Sequence, residues 1–122
     1  MKIFGHPWIE SETFYLIKSI EDIEETPSNS ILKIEKFDIE LLHYCDKNSL
    51  GYMVTVSSVK EAVFANLLHA KYLIASKALA KELMPIAQNY LFDTQVVATI
   101  ENEDEIEEMA KANIDGVFIT LK

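Results

Sequence analysis

Short apolar runs alternate with helix-patterned segments along most of this chain, and that rhythm constrains the fold more than any other feature. The clearest runs are Tyr52 to Val56, Tyr72 to Ala75, Gln95 to Ile100 and Val117 to Leu121. Strands so uniformly apolar are covered on both faces, which predicts a parallel sheet with helices packed against it. Thr13 to Lys18 and Ile31 to Phe37 read as further strands, and a short strand at Lys2 to Phe4 is compatible with the pattern. Lys33, Glu35 and Lys36 mark Ile31 to Phe37 as the more exposed edge of the sheet.

Helix starts are marked by caps. Ser19 precedes a short helix over Ile20 to Glu25, and Asp38 opens one to Lys47 with Ile39, Leu42 and Cys45 on one face. Ser58 and Glu61 form a capping box for a helix to His69, and Asn102 with Glu105 form a second for a helix to Asn113. Ser76 caps a helix to Leu91 that Pro85 should kink or divide. The helix over 58–69 is apolar almost all round, so a partner subunit or the N-terminal segment is expected to cover it.

The 122 residues fit a single α/β domain, 1–122, with 1–12 as an irregular N-terminal arm around Gly5, Pro7 and Trp8. A closed eight-stranded barrel takes about 250 residues. The expectation is therefore an open parallel sheet of five or six strands with helices on both faces, a flavodoxin-like or Rossmann-like three-layer sandwich. A faint repeat accompanies it: a shift of 44 residues carries Thr55 onto Thr99, Glu61 onto Glu105 and Leu73-Ile74 onto Val117-Phe118.

In open α/β sheets ligands bind beyond the carboxyl ends of the strands. The tips there offer Ser57, Ser58, Ser76, Lys77 and Thr120 as a cradle for a small anion, hydroxyls and free N–H groups at helix N-termini being suited to phosphate. Simple helix capping explains the same serines. The acidic run Glu101 to Glu108 reads as a capped, solvated first turn rather than a cation site. His6, His43 and His69 lack metal-ligand spacing, so no metal is expected. Cys45 reads as a buried thiol, and no cofactor or catalytic residue is assigned.

The sequence has no G-x-G-x-x-G, no phosphate-binding G-x-x-x-x-G-K-[ST] and no G-x-S-x-G. All 11 basic residues are lysines, so no arginine can clamp a carboxylate or phosphate in bidentate fashion. A net charge of −9 disfavours nucleic acid and anionic membranes as partners. With no signal-peptide core or membrane-length apolar stretch, a cytoplasmic location is expected.

Val54-Thr55-Val56-Ser57-Ser58-Val59-Lys60-Glu61-Ala62, Ala70 to Ser76 and Asn113 to Phe118 give residues 52–121 a resemblance to consecutive βα units of (β/α)8-barrel enzymes, in cadence the keto-deoxy-phosphogluconate aldolases. That resemblance implies a Schiff-base lysine on a following strand. The comparable stretch here carries Ile119 and Thr120, and Lys122 is out of register, so the catalytic lysine does not carry over. The element order also resembles a receiver domain, but Val56-Ser57 stands where a phospho-acceptor aspartate is required.

Two functions follow as expectations. One is a non-catalytic domain acting through a homodimer or protein partner, with Trp8, Phe64 and Leu68 at the interface. The other is a binder of, or enzyme for, a small anionic metabolite, with its pocket at the carboxyl ends of the strands.

Overall fold

The computed structural model describes residues 1–120; Leu121 and the register of Lys122 lie outside the described residues. Seven strands and five helices follow one another: β1 (Lys2–Phe4), β2 (Phe14–Ile17), α1 (Ile20–Ile23), β3 (Ile31–Ile34), α2 (Ile39–Lys47), β4 (Tyr52–Thr55), α3 (Val59–Leu67), β5 (Tyr72–Ala75), α4 (Lys77–Asn89), β6 (Gln95–Ile100), α5 (Glu105–Lys111) and β7 (Gly116–Ile119). The strands form one sheet in the order β1-β7-β6-β5-β4-β3-β2, and every pair is parallel.

From β2 to β7 each strand lies beside its predecessor, always stepping in the same direction. Right-handed crossovers repeated in one direction place every helix on the same face. Burial agrees. Leu32, Ile34, Val54, Leu73, Ala75, Val96, Ala98, Ile100 and Val117 share one core with the helix residues Leu42, Cys45, Ala62, Ala65, Leu83 and Met109. The alternate positions Phe4, Ile31, Met53, Tyr72, Ile74 and Val97 form a second core that contains no helix residue, with Phe14 and Phe118 against it.

The second face is buried because the sheet curls upon itself. Phe14 of β2 lies 5.4 Å from Phe118 of β7, although four strands separate them in the sheet. Phe118 stacks on Phe4 at 5.7 Å, and Phe4 meets the edge of Tyr72 at 5.2 Å. Two expectations are corrected here. The sheet has seven strands rather than five or six, since Lys2–Phe4 is a strand and takes the first residues of the arm. Its helices cover one face rather than two, so the molecule is an open curled sheet and not a flavodoxin-like three-layer sandwich. Strands buried on both sides look alike in sequence whether the second cover is a helix layer or the sheet itself. The edges of the sheet are β1 and β2, not the strand bearing Lys33, which pairs on both sides.

The 44-residue repeat has a structural counterpart. Thr55 is in register with Ile74 across β4 and β5, and Thr99 with Phe118 across β6 and β7. The carboxylate of Glu61 accepts the Ser57 N–H at 2.8 Å, and that of Glu105 accepts the Glu101 N–H at 2.7 Å. His69 and Asn113 both take left-handed backbone, at φ 63° and 62°.

Helices α2 to α5 all close in the same way. Leu50, Ala70, Phe92 and Ile114 each donate an N–H back to the residue five positions earlier, after a left-handed Ser49, His69, Leu91 or Asn113. This is the Schellman closure, built here without glycine. Helix α4 passes through Pro85 undivided. Helix α3 buries Ala62 and Ala65 but leaves Phe64 45% and Leu67 62% exposed, so its outer side is not covered within the chain.

Candidate functional site

The interior of the curled sheet is closed at one end and open at the other. At the amino ends of the strands, the Glu12 carboxylate accepts from the Tyr72 hydroxyl and the Lys71 ammonium, and Lys2 stands 3.7 Å away. Burial would raise the Glu12 pKa, but these donors outweigh it and hold the carboxyl below its ordinary value. Burial and the neighbouring carboxylate push the Tyr72 hydroxyl upward, so it stays a donor. Above this floor the rings of Phe4, Phe14, Tyr72 and Phe118 fill the middle.

At the carboxyl ends the interior opens into a cavity of about 340 Å³ lined by Lys33, Glu35, Lys36, Thr55, Ile74, Thr99, Phe118 and Thr120. Alternation along each strand delivers these side chains: Leu32 and Ile34 turn to the helices, so Lys33 turns inward. Its ammonium lies 4.4 Å from the Phe118 ring centre and 5.6 Å from that of Phe14. A cation over an aromatic face gains roughly 0.5–2 kcal/mol. Among the described residues, no carboxylate pairs with Lys33 or Lys36. The Thr99 and Thr120 hydroxyls donate to the Ala75 and Ile100 carbonyls at 3.4 and 3.2 Å, both long for such bonds, so an entering acceptor could draw either proton. The mouth therefore joins two ammonium groups, the Glu35 carboxylate and three threonine hydroxyls over an aromatic floor, a net positive set. Such a set can hold a carboxylate or a phosphate.

The residues expected from the sequence are distributed differently. Thr120 lines this cavity. The Ser57 hydroxyl donates to Glu61, Ser58 accepts the Glu61 N–H, and Ser76 accepts the Leu79 N–H, all as helix-end contacts. Lys77 is tied to Glu105, whose carboxyl is pulled down to about 2 by that ammonium first and by the Glu101 N–H next. Of the expected cradle only Thr120 thus reaches the mouth. Sequence reasoning reads Lys33 and Lys36 as edge residues and Thr55 and Thr99 as partners in the repeat, none of them as part of a site. Their signal was available in the inverted parity of Lys33 between Leu32 and Ile34, and in the repeat that superposes Thr55 on Thr99.

The expected interface residues occupy separate elements. Trp8 is 84% exposed beside α5, whereas Phe64 sits on α3 and Leu68 is half-buried at its end. Cys45 is fully buried and burial lifts its thiol to about 11, which disfavours the thiolate. No group of His, Cys, Asp and Glu among the described residues could hold a metal ion. Among those residues no helix is long and apolar enough to cross a membrane.

Fold and site together define a class: a singly wound, curled parallel α/β sheet with a lysine-bearing cavity at its carboxyl mouth. No protein-family model matches the sequence, and no curated protein is similar to it.

Proposed function

We propose that the protein binds a small anionic metabolite, carrying a carboxylate or phosphate, in the mouth of the curled sheet. The observation that carries this reading is Lys33, a half-buried ammonium turned over the Phe118 ring with no carboxylate paired to it among the described residues. An inward lysine in such a place is costly unless a compensating charge visits it. Lys36 and the hydroxyls of Thr55, Thr99 and Thr120 complete the set, and the cavity has the size of a small-ligand site. The reading takes from the barrel-enzyme resemblance only the position of the site, not its chemistry. A cytoplasmic setting belongs to the proposal and suits the lone thiol.

The test is a thermal-shift panel of small carboxylates and phosphate esters, followed by calorimetry on any hit. A ligand present at 100 times its Kd stabilises by about 2.7 kcal/mol. Lys33→Met should abolish the shift while leaving the fold intact, and Ser76→Ala with Lys77→Ala should leave it unchanged. A flat response across a broad panel, or a shift that survives Lys33→Met, overturns the reading.

A second reading is self-association through the carboxyl ends of α3 and α4. Phe64, Leu67, Tyr90 and Leu91 are all exposed there, Leu91 at 84% and in left-handed backbone. Together these side chains form an exposed apolar patch that association would remove from water. Sedimentation of Phe64→Asp with Leu91→Asp should return a monomer from a dimeric wild type. A monomeric wild type, or a variant that keeps the dimer mass, ends this reading.

A further inference from the structure

The segment between β1 and β2 builds a second concave surface, away from the mouth. Gly5 turns the chain at φ 90°, where a Cβ would stand 2.8 Å from the Ile119 carbonyl oxygen, and the turn brings His6 and Trp8 against α5. His6 Nε2 lies 2.7 Å from Glu103, and His6 Nδ1 accepts the Trp8 N–H at 3.1 Å. The contacts of His6 with Glu103 and with the Trp8 N–H fix the arm against the start of α5. The His6 ring also meets the Trp8 ring edge at 5.1 Å.

The result is a groove of about 470 Å³ with an apolar floor and one sign of charge at its rim. Ile3, Trp8, Ile9 and Ile106 supply the floor, and Glu103, Asp104 and Glu107 the rim. Among the described residues no lysine lines it, and Lys111 reaches Glu107 at 3.3 Å. Trp8 is 84% and Ile9 48% exposed, an arrangement that holds a large ring in water on an ordered support. We infer that this groove docks an amphipathic segment of another protein that presents apolar side chains flanked by lysine or arginine.

Charge selects this occupant over the others. A second copy of a chain with net charge −9 would bring acid to acid when the same grooves face each other. Nucleic acid and anionic lipid are repelled by the same rim. A cationic, apolar segment satisfies both floor and rim, with the aromatic ring as anchor.

Trp8 is the only tryptophan in the sequence, so its emission reports the groove directly. The probe is a tryptophan-free amphipathic helical peptide of leucine and lysine, with its leucine and glutamate counterpart as control. The lysine peptide should shift Trp8 emission to the blue, shield it from iodide quenching and lose affinity with added salt. Asp104→Asn with Glu107→Gln should weaken binding at least about fivefold, as loss of two rim charges requires. Anisotropy of a labelled peptide should show a similar or larger loss for Trp8→Ala, while Lys33→Met leaves binding unchanged. Equal binding of the glutamate peptide, peptide binding indifferent to both groove variants, or a self-association that Trp8→Ala abolishes would overturn the inference.

Discussion

Removing the Glu12 carboxylate should test how the curled sheet is held closed beneath the mouth. Glu12 lies outside any strand, yet it gathers Tyr72 and Lys71 of the β5 region and approaches Lys2 of β1. Tyr72 is only 1% exposed, so Glu12→Ala strands its hydroxyl, a penalty of about 1–3 kcal/mol. Lys71 is half-exposed and adds little, about 0–1 kcal/mol. The expected loss for Glu12→Ala is therefore about 1–4 kcal/mol. Tyr72→Phe removes the donor and leaves the carboxylate its lysines and water, for about 1 kcal/mol. In the double variant no hydroxyl remains to be stranded. Its loss should fall short of the sum by about 1 kcal/mol, the coupling between the two groups. Urea unfolding followed by circular dichroism measures all four species. A Glu12→Ala loss below about 0.5 kcal/mol, or strictly additive effects, would refute the claim that this carboxylate closes the floor.

Three further outcomes follow from the same structure. The Glu12 carboxyl titrates below its ordinary 4.5 in the folded chain, so its contribution is complete above pH 4.5 and lost as pH falls through the lower folded value. The stability gap between wild type and Glu12→Gln should accordingly narrow below pH 4.5 in acid titrations of urea midpoints. Leu91→Gly should stabilise by about 0.5–1 kcal/mol, because relief of left-handed strain exceeds the added chain entropy of glycine; an unchanged melting temperature would show that the strain is absorbed. Gly5→Ala should cost about 2–4 kcal/mol, combining strain at φ 90° with the 2.8 Å approach to Ile119, and should lower the thermal midpoint by several degrees.

Much of the local structure is legible in the residues. Ser58 and Ser76 cap α3 and α4 as their positions announce, and Asp38 accepts from the Glu40 and Leu41 N–H groups at the start of α2. Caps act over one turn, so the sequence carries them whole. The second box is tighter than its spacing suggests: Asn102 accepts from Asp104, and the helix begins only at Glu105. Pro85 could not be read, because a helix anchored by Ala80, Leu83, Met84 and Ala87 tolerates one missing donor on its outer side.

The site divides along the same line. The sequence by itself determined that the strands are parallel, that most of them are buried on both faces and that helices alternate with them. Tertiary structure alone decided what covers the second face. Apolar alternation records that a side chain leaves water, not what it meets, and the answer depended on the direction in which each successive strand was laid down. Because that direction never reverses from β2 to β7, the sheet curls over Phe4, Tyr72 and Phe118, and the lysine that looked like an edge residue stands inside the mouth.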